Sequence, residues 1–332
     1  MGYSIWVTAD CNLQCKYCYE GNDKPRVYMN NVTADQVVKY ILSDYDDDES
    51  LLINFHGGEP LLNMKIIEYL VKKINTDINP ATEVIYSVTT NGTVLSASIL
   101  NFMLDNSFEI TISIDGNEET QNYLRPFKNG NKSFDVVLNN ALILNQKFPN
   151  LRLRMTFNSK TTDCLASNVI FLCEQGFQTI VPIEDDFDTE WDEIHLEILE
   201  EQIKLIKAYL EKNPTKSVSL CEKLSPCTGN CSGGISSKHI FCDGKIYPCL
   251  MAGNEDNFEV GDINTGINEL KLSEILETAD KENPTCSGCS LINYCEGSRC
   301  KIINKLVTGN YLQPAAIQCR ITSLFYQLNG IV

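Results

Sequence analysis

The segment CNLQCKYC, Cys11–Cys18, sets three thiols on one short loop, spaced by three and then two residues, with Tyr17 directly before the last. Three thiolates at such spacing can hold three irons of a cubic iron–sulfur cluster, which ordinarily takes four cysteines. The iron left without a protein ligand is then open to a substrate. A structural zinc is the competing chemistry, and it wants a fourth Cys or His nearby. The nearest histidine, His56, lies far along the chain. A disulfide fits poorly, because thiols this close on so short a loop rarely reach bonding geometry. A second stretch is HGGEP, His56–Pro60. Its glycines let backbone come close to a ligand, and Glu59 adds a carboxylate. By itself the same stretch reads as a Gly-Pro turn.

The final third is dense in thiols, with ten cysteines from Cys221 onward. CSGGISSKHIFCDGKIYPC spans Cys231–Cys249, CSGCSLINYCEGSRC spans Cys286–Cys300, and Cys319 follows. CxxC with further thiols at short spacing is a metal signal, for zinc or for iron–sulfur.

These residues need a scaffold, and composition bounds it. A chain of 332 residues, 43% hydrophobic and 21% charged, has the make-up of a soluble globular protein with room for more than one domain. No segment approaches the roughly 20 apolar residues of a membrane span. MGYSIWV has no basic stretch before an apolar run, so it is no signal peptide, and Trp6 stands where a myristoylation signal wants Ser or Thr. A reducing cytoplasm is therefore expected, where cysteines more often bind metal than pair. The 15 cysteines are an odd number, which complete pairing cannot use. A net charge of −17 argues against a nucleic-acid backbone as partner. The acidic runs Asp44–Glu49 and Glu184–Glu193 read as solvated faces.

Hydrophobic patterning predicts six strands: Tyr3–Ala9, Leu51–Phe55, Glu83–Thr90, Glu109–Asp115, Leu151–Phe157 and Gln178–Ile183. Helical stretches separate them, near 33–43, 65–74, 97–106, 134–147 and 166–175, the first opened by a capping box at TADQ, Thr33–Gln36. Alternating strands and helices mean a parallel α/β sheet. Six units are too few for an eight-fold barrel and suit an open, partial (β/α)6 TIM-like barrel, whose function collects at the C-terminal ends of its strands. The cysteine loop follows the first strand and HGGEP the second, so both belong at that end.

CxxxCxxC after strand one and GGEP after strand two, in a six-unit β/α chain, resemble the radical S-adenosylmethionine (SAM) enzymes over roughly residues 3 to 200. The resemblance implies a [4Fe–4S] cluster on Cys11, Cys15 and Cys18, with SAM on the open iron. It implies that Tyr17 lines the adenine and that Gly57, Gly58 and Glu59 hold the methionine amine. SIDG and LRP look like later SAM-contacting stretches and carry over Ser113, Asp115 and Arg125. The chemistry implied is hydrogen abstraction from an unactivated carbon, with a flavodoxin or ferredoxin as electron donor.

The cysteine-rich third resembles the SPASM extension, which holds auxiliary [4Fe–4S] clusters. The implied division is a radical SAM core over 1–212 and an auxiliary-cluster domain over 213–332. One auxiliary cluster would use Cys231, Cys249 and Cys300, with Cys227 as fourth ligand ahead of Cys221, or with that position open. The other would use Cys286, Cys289, Cys295 and Cys319. Four residues, where the family has three, separate Cys295 from Cys300. Cys164 and Cys173 read as small core residues, and Cys242 matches no ligand position. SPASM proteins mostly act on peptides. The related anaerobic sulfatase-maturating enzymes carry an Asp where this chain has Leu250, which points instead to a cross-link, a thioether first, in a ribosomally made precursor peptide. Ten residues before Cys11 leave no leader-binding domain, so a separate leader-binding protein or the barrel itself would present the peptide. Sulfatase-maturase-like oxidation of a Cys or Ser, and a non-catalytic zinc or iron–sulfur protein, are the alternatives.

Overall fold

The computed structural model describes residues 1–21, 24–45, 50–222, 226, 230–253, 255–295 and 299–330. In chain order the first elements are β1 (Gly2–Thr8), α1 (Asn31–Asp44), β2 (Leu51–Gly57), α2 (Met64–Asp77), β3 (Val84–Thr90), α3 (Ala97–Asp105), β4 (Glu109–Ser113), α4 (Glu118–Leu124) and α5 (Phe134–Asn145). Then come β5 (Arg152–Phe157), α6 (Leu165–Glu174), β6 (Thr179–Glu184), α7 (Glu193–Lys212) and β7 (Ser217–Val218). The rest is β8 (Ser237–Ile240), β9 (Lys245–Tyr247), β10 (Gly261–Asp262), β11 (Gly266–Ile267), α8 (Glu269–Asp280), α9 (Lys301–Thr308) and α10 (Ala316–Leu328). Strands β1 to β6 are the six read from the sequence. Helix α1 starts earlier than the TADQ pattern predicts: Asn30 is the cap, its side chain accepting the Thr33 N–H at 3.0 Å. A competing cap one turn upstream wins because an Asn amide oxygen caps at least as well as a Thr hydroxyl.

The chain folds as two compact units, and α8 straddles their division. The first comprises Met1–Ser113, Pro126–Leu151 and Ser232–Glu274. Its strands hydrogen-bond in the order β11-β10-β9-β8-β1-β2-β3-β4. β8 and β1 to β4 run parallel, and β9 to β11 turn back antiparallel. The sheet is therefore wider than six-unit patterning suggests, because β8 lies along the free edge of β1, pairing Ser4 with His239.

Alternation along these strands separates two faces. Tyr3 meets Tyr40 of α1 edge-on at 6.5 Å, and Phe55, Tyr86 and Phe108 stack at 5.6–6.3 Å. Such buried aromatic side chains each contribute about 1.5–3 kcal/mol. On the other pleat, Asn54 donates to Ser4 Oγ at 3.3 Å and accepts from Ser87 Oγ at 3.1 Å, a polar row across β1, β2 and β3. One layer along, the Trp6 ring lies 4.1 Å from Phe241 and 5.5 Å from His56.

The second unit comprises Ile114–Arg125, Arg152–Cys231 and Ile275–Val332. Its parallel strands run β5-β6-β7. Helix α7 emerges from the acidic run read as a solvated face: Asp192 accepts the His195 N–H at 3.0 Å, and His195 Nδ1 accepts the Asp192 N–H at 3.2 Å. Arg320 of α10 grips Glu193 through two 2.6 Å hydrogen bonds. Among the described residues, no helix is long and apolar enough to cross a membrane.

Candidate functional site

The cysteine loop leaves β1 at Thr8 and is held from both sides within the first unit. Ala9 donates to the Val27 carbonyl at 2.9 Å, and Thr8 Oγ1 donates to the same carbonyl at 2.7 Å. Gln14 donates to the Pro126 carbonyl at 2.8 Å and Lys128 to the Asn12 carbonyl at 3.0 Å, so Pro126–Lys128 runs along the loop. Asp10 receives the Tyr28 hydroxyl at 2.6 Å and the Lys128 ammonium at 3.1 Å. Burial pushes the Asp10 carboxyl up, but these two donors outweigh it and hold it below the usual range. Cys11 is buried, while Cys15, Tyr17 and Cys18 are half-buried. A turn in which Cys18 N–H donates to the Cys15 carbonyl at 3.2 Å folds the last two thiols together.

The two glycines of HGGEP permit a close approach, and what they approach is this loop. A Cβ on Gly57 would stand 2.1 Å from the Thr8 carbonyl oxygen, and one on Gly58 would stand 2.3 Å from that of Asp10. Gly57 also has φ +132°, which side chains rarely adopt. Gly58 and Glu59 then donate backbone bonds to the Thr8 and Asp10 carbonyls at 3.1 and 2.8 Å. Glu59 is fully buried. Its carboxylate accepts from Thr90 Oγ1 at 2.7 Å, Asn91 N at 2.7 Å and Leu61 N at 3.1 Å. It thus ties the end of β2 to the end of β3.

Asn91 completes the junction. Its amide donates to Cys11 Sγ at 3.7 Å and to Asn12 Oδ1 at 2.9 Å. The sequence reading does not single it out; the available signal is the polar NGT, Asn91–Thr93, directly after the third strand, at the same end of the sheet. Lys24 was also passed over. Its ammonium lies 3.6 Å from Glu20, both side chains nearly buried, and acts on the Cys18 and Cys11 sulfurs. Burial opposes the Lys24 charge, yet Glu20 and the two thiolates leave its pKa raised. Cys242, which matches no ligand position, is buried near Ala9 and Glu20, and burial pushes its thiol up to about 11. Ser113 ends β4 in this unit, and Cys249 precedes the short helical turn Leu250–Ala252.

The second unit gathers another thiol group. Burial raises the Cys319 thiol, and the charges of Cys295, Cys286 and Cys289 raise it further. Cys295, Cys286 and Cys289, expected to share one auxiliary site with Cys319, thus each lie within electrostatic reach of it. Asn283 donates its amide to Cys286 Sγ at 3.7 Å. Lys301 of α9, only 4% exposed, donates to Asn283 Oδ1. Asp115 and Arg125 are buried in this unit, where Asp115 Oδ1 accepts the Thr156 N–H at 3.0 Å. Cys231, Cys300 and Cys221 are half-buried here, burial pushing Cys221 up to about 11. Cys227 lies outside the described residues. Cys173 is a buried core residue of α6 and Cys164 is half-buried at its start.

Among the described residues, no three His, Cys, Asp or Glu side chains stand as ligands of a single ion. A four-iron cluster spreads its thiolates over separate irons and does not need that convergence. The donor chemistry fits such a cluster: soft thiols on one loop, with an amide N–H and an ammonium directed at the sulfurs.

Residues 6–164 match the Radical SAM superfamily. Over 174 residues the chain is 33% identical to an uncharacterised protein of Methanocaldococcus jannaschii, a match covering 52% of this chain and 59% of that one. Over 324 residues it is 25% identical to the cysteine-type anaerobic sulfatase-maturating enzyme of Clostridium novyi, covering 87% and 84%. Native anSMEcpe with bound AdoMet and Kp18Cys peptide has the same fold, with a TM-score of 0.81 at 20% identity over 99% of this chain and 97% of that one. The first of these relatives is matched over less than two thirds of its own length. Residues 6–164 thus carry a Radical SAM superfamily domain, and the chain has the α/β fold of the partial barrel. That domain implies SAM and a [4Fe–4S] cluster.

Proposed function

We propose that this protein is a radical SAM oxidase of a peptide, installing a cross-link, a thioether first. The observation that carries the reading is the clamped loop of Cys11, Cys15 and Cys18, its first sulfur held by Asn91 and its loop docked on the ends of β2 and β3. Cys11, Cys15 and Cys18 would hold the cluster, and Tyr17, Gly57, Gly58, Glu59, Ser113, Asp115 and Arg125 would surround SAM. When bound, cluster and SAM supply hydrogen-atom abstraction from an unactivated carbon. Residues of the clamp keep the loop fixed against the strand ends, so the reacting carbon meets a rigid site.

Thioether formation removes one hydrogen atom from carbon, one proton from the thiol and one further electron. Residues 213–332 would form the auxiliary domain that holds the acceptor. Cys286, Cys289, Cys295 and Cys319 are its best-gathered ligands, and Cys227, Cys231, Cys249 and Cys300 would form a second set. A precursor peptide, a separate leader-binding protein and a flavodoxin or ferredoxin donor would be its partners in the cytoplasm.

Oxidation of a sulfatase Cys or Ser is a second reading, favoured by the similarity to the Clostridium novyi enzyme over most of both chains. Leu250, where an Asp is expected for that reaction, counts against it. Mass spectrometry after anaerobic reaction separates the two. A precursor peptide lighter by two hydrogens with one fewer alkylatable thiol supports the thioether. No change in any precursor peptide, together with conversion of a sulfatase peptide, overturns it.

A further inference from the structure

Within the first unit, the C-terminal end of α1 and the start of β8 border a cleft of about 710 Å³, walled on its other side by the β10–β11 turn and the first turn of α8. Ligand sites typically occupy about 300–1,000 Å³. Lys238 lines the cleft and is only 5% exposed. Its ammonium donates to Asp44, which also accepts the Tyr3 hydroxyl at 2.6 Å. An ammonium carries three donors, and among the described residues Asp44 is the acceptor it meets. Tyr40 lines the same cleft at 7% exposure, and its hydroxyl has no hydrogen-bond partner among the described residues. Burial and the charges of Asp44 and Glu269 raise its pKa, so it stays a donor. Buried donors without acceptors are rare, and these border space that a ligand rich in acceptors can fill.

The charges lining the cleft balance, Lys39 and Lys238 against Asp44 and Glu269. Phosphates and metal ions ask for an excess of one sign, so neither suits it. Apolar surface completes the wall: Ile267 and Leu272 line it, and Ile235 is 50% exposed. A Cβ on Gly266 would meet nothing within 4 Å, so the wall is open there. An extended peptide answers all of this. Its backbone is neutral, it offers one carbonyl acceptor per residue, and alternate side chains can meet the apolar wall. An open wall lets a chain run on past the cleft. We propose that this cleft binds an extended segment of the peptide substrate through its backbone carbonyls, away from the reacting carbon. The assignment rests on the peptide-substrate reading of the proposed function. Lys238 pairs in register with Tyr3, and Thr8, where the cysteine loop leaves β1, lies five residues beyond Tyr3. At about 3.3 Å per residue that separation is about 17 Å, so the held segment lies at least about five residues from the one that reacts. Such binding is equal in ground and transition states and holds the peptide without altering the chemistry.

The probe is a phage-displayed library of random dodecapeptides, selected on the anaerobically prepared full-length protein. Recovered sequences are synthesised and titrated by fluorescence anisotropy. Tyr40→Phe removes the hydroxyl, and Ile235→Trp fills the cleft from its exposed side. Neither residue belongs to the cysteine loop or its clamp. Tyr40→Phe should keep at least the parent's urea midpoint, because the hydroxyl has no partner to lose, yet bind the peptides at least about threefold more weakly. Ile235→Trp should fold as the parent does and weaken them at least about tenfold, through a clash. Recovery of no peptide, or of peptides that bind the parent and both variants alike, overturns the proposal. A lowered midpoint in Tyr40→Phe with unchanged binding also overturns it, making the hydroxyl structural. The mass-spectrometric assay above stands apart from these outcomes. Binding that both variants lose, in a protein that converts no peptide, keeps the cleft as a peptide site and removes the substrate reading itself.

Discussion

Glu59 orders the ends of β2 and β3 beside the cysteine loop. Three donors converge on a carboxylate with no solvent exposure. Leaving buried donors without an acceptor costs about 1–3 kcal/mol each, with incomplete additivity. Glu59→Ala should therefore lower the urea unfolding free energy by about 3–5 kcal/mol. Glu59→Gln keeps two acceptor positions but turns an NH2 toward one donor, and should cost less. A Glu59→Ala chain as stable as the parent would show that the carboxylate is not the tie between β2 and β3. The residue was legible in HGGEP as a functional carboxylate. Its structural work was not, because Thr90 and Asn91 lie about thirty residues further along, and no local pattern announces a contact so distant in sequence. Lys301 and Asn283 escaped notice for the same reason: each looks like an ordinary surface residue until the fold buries it.

Among the elements, β8 changes the picture most. A four-residue strand inside a cysteine-rich segment has too short an alternation to stand out, yet it pairs with β1 from Gly2 to Ile5. It places His239 beside Ser4, where burial lowers its pKa to about 4. His239 Nδ1 finds no hydrogen-bond partner among the described residues. The unfolded chain takes up a proton near pH 6.5, whereas the folded chain resists until about pH 4. The unfolded state therefore binds more protons between these values, and folding stability must fall as pH drops through that window. The loss attributable to this residue is roughly 3 kcal/mol at most. His239→Phe should flatten that part of the stability–pH curve in urea unfolding series at pH 7, 6, 5 and 4. An unchanged slope would mean His239 titrates normally. The longer strands β1 to β6 were readable because each combines an apolar run with flanking turns. Helix α7 was hidden by its acidic first turn, whose Asp192 turned out to be a cap.

At the scale of the whole molecule, the six-strand pattern, the anionic charge and the cysteine spacing all point one way. The radical SAM match over residues 6–164 and the shared fold with anSMEcpe agree with it. The cysteine-rich third is less simply organised than its sequence suggests. Ser232–Glu274 packs in the first compact unit and Ile275–Val332 in the second. Spacing alone reads ligands in series along the chain and carries no information on which unit each thiol joins.

The central claim is that Cys11, Cys15 and Cys18 hold the cluster at which SAM is cleaved. Changing all three to Ala leaves the other thiols intact. The variant, prepared anaerobically, should retain its auxiliary iron yet release no 5′-deoxyadenosine from SAM and a strong reductant, while the parent releases it. A variant that still forms 5′-deoxyadenosine at the parent's rate would contradict the account.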